Sequence, residues 1–405
     1  VSPYKLAVLN THPIQYFAPL YRALARDPNI DLTVFFCSLQ GVHEYTDEGF
    51  GTSVRWDVPL LEGYQSVVLP ELLGRSQVGG FLSLFNPRIV GALMRGRFDA
   101  LIIHGHIPAT TVLGAIVARL VRTSVFMRCE THLGLSRPSW KRVLRKPLLH
   151  SLYAQLCSAC LAIGTRNAEF YRSIGVPAER IVHVPYVVDN AFFASRVHEL
   201  KQDVRGLRRS LGLPTDLPVI LFASKLQPRK RAMDLLDAHT ALRHQGVESA
   251  LAIVGSGEDE QCLRDRVARQ GLDHVYFFGF QNQTELPRFY AASDIFVLPS
   301  ENEPWGLVVN EVMAAGLPVV VAGEVGAAVD LVRAGENGYT FSAGDIPALT
   351  DALRTMLADP PRLVRMGQRS ADLIATWGVE QWVKGVNEAL MIGAKRRQPQ
   401  AEITS

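Results

Sequence analysis

The chain of 405 residues is 48% hydrophobic and 20% charged, with a formal net charge of +3. That length exceeds one ordinary core and suits two domains of about 200 residues each. The near-neutral balance gives no reason by itself to expect a nucleic-acid partner, and five scattered cysteines (Cys37, Cys129, Cys157, Cys160, Cys262) argue against a disulfide framework and for a reducing compartment.

The first predicted strand, Lys5–Asn10, follows the N-terminus without the charged-then-apolar layout of a signal peptide. Further strands are expected at Leu32–Cys37, Ala100–His104, Ser124–Arg128, Cys160–Gly164 and Ile181–Val184, with helical periodicity over Pro108–Val121 and Arg166–Ile174. Cys157 and Cys160 have CxxC spacing but no second ligand pair nearby, so they read as small buried residues. The alternation resumes with strands at Val219–Ala223, Ala250–Val254, Val275–Gly279, Ile295–Leu298 and Val319–Ala322, and helices at Arg231–Gln245 and Asp259–Gln270.

Strands apolar on both faces and separated by single helices predict parallel sheets covered on both sides. The expected class is α/β, with two doubly wound, Rossmann-like domains facing a cleft. The reading assigns residues 1–190 to an N-terminal domain, 191–217 to a linker, 218–375 to a C-terminal domain, 376–394 to a helix packing back on the first domain, and 395–405 to a disordered tail. Tyr186 and Asp189 fall in the expected hinge. No window of about 20 residues lacks polar breaks, so the expected location is cytoplasmic, or peripheral on the inner face of the plasma membrane.

The most informative segment runs Pro299-Ser-Glu-Asn-Glu303-Pro-Trp-Gly-Leu-Val-Val-Asn-Glu311, where a strand ends and a helix is expected to start near Pro304–Trp305. Glu303 then lies just before the helix and Glu311 about two turns in, roughly 10–12 Å further along. That separation suits two carboxylates holding hydroxyls at opposite ends of one long ligand better than a shared metal ion. The amides of Gly306, Leu307 and Val308 crown the helix N-terminus between them, a ready anion site. A second loop, Ser224-Lys225-Leu-Gln-Pro-Arg-Lys230-Arg231, leaves the strand Val219–Ala223 with two lysines five residues apart that can converge on a diphosphate, while Arg229 and Arg231 read as surface charges.

With its two glutamates separated by seven residues, Gly-Leu inside and a small-residue helix end, this segment resembles the retaining family-4 glycosyltransferases of the GT-B fold. The resemblance extends over Ala291–Ser300 and Gly335–Phe341. It implies that Glu303 holds the donor sugar hydroxyls, Glu311 the ribose, and the Gly306, Leu307 and Val308 amides the phosphates or sugar. It further implies that Lys225 and Lys230 neutralise the leaving diphosphate, and that His106, in Leu101-Ile-Ile-His104-Gly-His106, contacts the donor sugar. Gly255 and Gly257 lie near the donor by the same resemblance, although a tight strand-to-helix turn explains them equally well, and Phe280 sits where relatives seat the base. UDP-, GDP- and ADP-sugars are not distinguished. No cofactor and no metal is expected.

Two departures stand out. The family usually has arginine where this chain has Lys225, which keeps the charge but loses the bidentate fork. Many relatives carry a Gly-Gly loop after the first strand, whereas this chain has Asn10-Thr-His12-Pro-Ile-Gln15, which lacks a glycine loop's backbone freedom. Either His12 and Gln15 replace those contacts with side chains, or the loop serves the acceptor. Arg128, Glu130 and His132 follow a first-domain strand and are the remaining acceptor candidates.

Between Arg119 and Lys146 eight Lys/Arg face one acidic residue, Glu130. Trp140, Lys141, Arg142, Arg145 and Lys146 form a basic amphipathic pattern that suits an anionic membrane surface, or a helix packed on its sheet with solvated charges. The leading reading is sugar transfer from a nucleotide sugar to a glycan or lipid-linked acceptor, in cell-surface polysaccharide or glycolipid synthesis. The alternatives are a nucleotide-sugar epimerase on the same fold and a non-catalytic sugar-binding homologue.

Overall fold

The computed structural model describes residues 2–72, 79–135 and 145–397, which separate into two compact units. The first unit takes the described residues up to Tyr45, then Pro59–Tyr186, and those from Val379 on; the second takes Thr46–Val58 and Val187–Gly378.

The first unit opens with strands β1 (Tyr4–Asn10) and β2 (Ile30–Phe36); the two-stranded ribbon that follows in the chain, β3 (Tyr45–Asp47) with β4 (Thr52–Val54), belongs from Thr46 on to the second unit. Strands β5 (Gln65–Val68), β6 (Ala100–His104), β7 (Ser124–Arg128), β8 (Ala159–Ala162) and β9 (Ile181–His183) come next. The seven-stranded sheet has the order β5-β2-β1-β6-β7-β8-β9, and its neighbours pair in parallel. Leu9, Leu101, Val125 and Phe126 are fully buried along its centre. The order reverses between β1 and β6, so the loops after these strands flank a crevice at their carboxyl ends.

The second unit repeats the plan with β10 (Val219–Ala223), β11 (Ala250–Val254), β12 (Val275–Phe277), β13 (Ile295–Leu298), β14 (Val319–Ala322) and β15 (Gly338–Phe341). Its parallel order, β12-β11-β10-β13-β14-β15, reverses between β10 and β13. Every residue of β10, β11, β13 and β14 is buried, as expected for strands covered by helices on both faces. The two doubly wound α/β domains inferred from strand composition are therefore the observed ones.

Residues 191–217 are not an irregular linker. They form helices Asn190–Leu200 and Val204–Ser210, whose N-caps Asp189 and Asp203 accept from the amides of Phe192 and Gly206. Phe193 packs on Tyr290 with ring centroids 5.9 Å apart, and Arg208 pairs with Asp294 at 2.7 Å, which ties the segment to the second unit. Asp189 caps the first of these helices, three residues beyond the boundary between the units. The final helix, Val379–Arg397, belongs to the first unit: the Ser124 hydroxyl donates to the Gly393 carbonyl and Asn387 donates to Asp27. Lys395–Arg397 lie in that helix and not in a disordered tail, and residues 398–405 lie outside the described residues. Among the described residues no helix is long and apolar enough to cross a membrane.

Candidate functional site

In the second unit the loops after β10 and β13 emerge at the switch point, and they bring Lys230 and Glu303 into contact. Their side chains form an ion pair, with the Lys230 ammonium donating to Glu303 Oε2. Lys230 is only 7% exposed and Glu303 8%. Arg229 Nη1 reaches the same oxygen at 3.3 Å, so Arg229 is part of this cluster and not simply a surface charge. Arg231 instead pairs with Asp234 and Glu301. Burial holds the Lys230 ammonium below its ordinary value; Glu303 opposes that shift, and repulsion from Arg229 and Lys225 adds to it. A buried ion pair contributes little net stability because desolvation offsets its attraction. Such a pair at a sheet's switch point is accordingly a better candidate for ligand chemistry than for holding the fold.

The loop after β13 is fixed from below. The amides of Gly326 and Ala327 donate to the carbonyls of Glu303 and Trp305 at 3.1 and 3.0 Å. Trp305 stacks on Trp377 at 5.5 Å and donates from Nε1 to Asn310. The helix spans Leu307–Ala314, starting later than Pro304–Trp305, because Gly306 adopts φ 93° at its N-cap. Only glycine takes that left-handed conformation readily, and a side chain there would also press on Val325 and Leu298. The late start leaves the first-turn amides of half-buried Leu307 and Val308 without intrahelical acceptors. Glu311 is 1% exposed and accepts a hydrogen bond from the Tyr290 hydroxyl. Nothing in the sequence pairs these two residues. Tyr290 lies in an apolar helix, Leu286–Ala292, that reads as core.

Lys225 does not join the Lys230–Glu303 pair. Its ammonium lies 2.6 Å from Asp47 Oδ1 and 4.5 Å from the centre of the Phe50 ring. Phe280 meets Phe50 edge-on at 4.7 Å and Trp56 at 6.3 Å. Sequence reasoning missed Asp47, Phe50 and Trp56, because the polar stretch around them shows no periodicity and was assigned to the first domain. The Gly255–Gly257 turn has a packing cause: Cβ atoms there would meet the carbonyl oxygens of Ser224 and Leu226 at 1.9 and 2.3 Å. These glycines let the loop after β11 lie against the one carrying Lys225.

In the first unit the loops after β1 and β6 likewise carry His12, Gln15 and His106 to the switch point. His106 Nδ1 is 2.6 Å from the Tyr153 hydroxyl, which fixes the ring's orientation. Burial pulls His12 down to about 4, so its ring is neutral at pH 7, and Gln15 is buried. Arg128, also buried, lies against both Phe17 and Tyr186, with its guanidinium carbon 5.0 and 4.3 Å from the two ring centres. Exposed Glu130 lies 3.8 Å from Arg128, and buried His132 accepts from the Gly134 amide. Tyr186 is also the last residue of the first unit before the chain passes into the second, which is where the hinge was expected. Of the basic stretch, Arg145 and Lys146 are exposed, while Trp140, Lys141 and Arg142 lie outside the described residues.

The chain matches two family models in succession: "Glycosyl transferase 4-like domain" over residues 13–187 and "Glycosyl transferases group 1" over residues 203–372. It is 32% identical over 237 residues to a GDP-mannose-dependent alpha-(1-6)-phosphatidylinositol monomannoside mannosyltransferase of Mycolicibacterium smegmatis, covering 56% of this chain and 59% of that one. It is 30% identical over 288 residues to a sulfoquinovosyl transferase of Arabidopsis thaliana, covering 68% and 52%. The chain therefore spans little more than half the length of these curated relatives. Among solved structures, Anabaena HepE in complex with UDP and glucose superposes with a TM-score of 0.70 at 20% identity, over 96% of this chain and 99% of that one. A Rickettsia africae glycosyltransferase gives a TM-score of 0.72 at 13% identity, over 98% and 100%. At such identities these structures establish the fold alone, which is GT-B. With both of its halves matched in order, the chain belongs to the glycosyltransferases that join a glycosyl transferase 4-like domain to a group 1 domain.

Proposed function

We propose that the chain is a glycosyltransferase that moves a sugar from a nucleotide-sugar donor to an acceptor hydroxyl, with retention of anomeric configuration and without a required metal ion. The observation that carries this reading is the buried Lys230–Glu303 pair at the β10/β13 switch point, next to the first-turn amides of a helix. In this reading Lys225, Lys230 and the Gly306, Leu307 and Val308 amides stabilise the charge that develops on the departing diphosphate. Glu303 exchanges part of its pairing with Lys230 for the donor sugar's hydroxyls, and Glu311, oriented by Tyr290, holds the ribose. Gly255, Gly257 and Phe280 shape the nucleotide end. The bond from the anomeric carbon to phosphate breaks, the acceptor oxygen bonds to that carbon from the same face, and the acceptor's proton leaves with the phosphate. His106 steadies the donor sugar, while His12, Gln15, Arg128, Glu130 and His132 serve the acceptor or the donor loop.

The test is a thermal-shift screen of the full chain against UDP-, GDP- and ADP-sugars in the presence of a metal chelator, followed by nucleoside diphosphate release from any binder. A ligand that binds only the folded state at about 100 times its Kd stabilises by about 2.7 kcal/mol. That corresponds to a rise of several degrees in Tm. No shift and no release with any donor would end this reading.

The acceptor is proposed to be a glycan or lipid-linked sugar, in glycolipid or cell-surface polysaccharide synthesis; one relative is named for a phosphatidylinositol monomannoside. Contact with the inner face of the plasma membrane through Trp140, Lys141, Arg142, Arg145 and Lys146 is part of the proposal, supported by their basic, amphipathic composition. Replacing the four cations by glutamine is expected to weaken binding to phosphatidylserine vesicles by about 1 kcal/mol per cation. Unchanged vesicle binding would remove the membrane from the proposal.

A further inference from the structure

The ribbon of β3 and β4, with its flanks, is held against the carboxyl ends of three strands of the second unit. Asp47 takes the Lys225 ammonium at 2.6 Å. Its Oδ1 also accepts from the amides of Gly49 and Phe50, at 2.9 and 3.0 Å, so the carboxylate is already oriented by its own turn. After β11, the Ser256 hydroxyl donates to the Phe50 carbonyl at 2.8 Å. After β12, Asn282 donates to the Arg55 carbonyl at 2.6 Å, the Thr284 amide donates to Asp57 at 3.2 Å, and Phe280 packs against Phe50 and Trp56. An acidic group thus covers Lys225, which the donor reading assigns to the diphosphate, and aromatic rings cover Phe280, which it assigns to the nucleotide end.

We propose that residues 46–58 are an internal competitor for the nucleotide, with Asp47 standing in for a phosphate on Lys225 and Phe50 and Trp56 standing in for the base on Phe280, so that the donor binds only as this ribbon lifts. The inference rests on the donor reading given above. Charge decides between this and a ribbon that stays in place to complete the pocket: a carboxylate fixed on Lys225 repels an incoming diphosphate and occupies the cation it needs. The surrounding charges agree, because Lys230 and Arg229 are engaged with Glu303, leaving Lys225 as the cation of this loop that the ribbon takes. A ribbon closed in about nine-tenths of molecules lowers apparent nucleotide affinity about tenfold.

The experiment uses the full chain and Asp47→Asn, titrated calorimetrically with UDP, GDP and ADP. A second readout is tryptic cleavage after Arg55, an exposed ribbon residue, followed by mass spectrometry. The expected result is an affinity gain of roughly fivefold to tenfold for Asp47→Asn, a matching fall in donor KM with kcat unchanged, and faster Arg55 cleavage when nucleotide is added to the parent. Nucleotide that binds both proteins equally, or that protects Arg55, would overturn the competitor while leaving the donor site standing. Failure of all three nucleotides to bind either protein would overturn the donor reading and the competitor with it.

Discussion

Replacing Lys230 by methionine is expected to lower nucleotide-sugar turnover by about two to three orders of magnitude, the scale on which a preoriented electrostatic donor acts in a transition state. Methionine keeps the length and apolar stem of the side chain, so packing around the loop after β10 changes little. The charge loss also takes one counter-charge from the buried Glu303 carboxylate and leaves it Arg229 at 3.3 Å. Breaking a buried pair by removing one partner destabilises by about 3–5 kcal/mol, and the remaining arginine reduces that figure. Adding Glu303→Gln removes the stranded charge, so the double variant is expected to regain thermal stability and not activity. Nucleoside diphosphate release, measured beside thermal unfolding on the single and double variants, separates the two effects. Turnover that recovered together with stability would show that the pair only holds the loop.

The second large effect is expected at Glu311. Its carboxylate is buried and oriented by Tyr290, as a group that grips one hydroxyl requires. A hydrogen bond to a charged group contributes about 1.5–3 kcal/mol, so Glu311→Gln is expected to weaken nucleotide binding by roughly 10- to 150-fold. Tyr290→Phe removes only the orienting hydroxyl and is expected to weaken it by about tenfold or less. Calorimetry with the nucleotide that the parent binds is the measurement. An unchanged Kd in Glu311→Gln, with lowered stability, would assign the Glu311–Tyr290 bond to the fold.

What the sequence made legible follows from which interactions are local. Strands such as Val219–Ala223 and Ile295–Leu298 are apolar on both faces, and that property is written in consecutive residues. The edge strands Gln65–Val68 and Gly338–Phe341 were missed because four residues with one or two polar members carry almost no pattern. The loop carrying Glu303 and Gly306 was recognisable as a motif, yet the helix start was misplaced. Pro304 permits a first turn, but the left-handed Gly306 sets it two residues beyond Trp305. Partnerships were the least legible. Lys230 meets Glu303 from 73 positions away and Lys225 meets Asp47 from 178. Distances of that kind are set by strand order, not by spacing in the chain. The helices at 190–200 and 204–210 were hidden for a different reason: mixed charges on their outer faces obscured Phe193 and Val197, which anchor the first of them.

Hydrogen–deuterium exchange on the full chain, with and without a bound nucleoside diphosphate, tests the central assignment most directly. A ligand held by the loops after β10 and β13 slows exchange of the amides in residues 224–231 and 303–311, including those of Leu307 and Val308. Protection confined to other segments, with these two loops exchanging at their unliganded rate, would contradict the account.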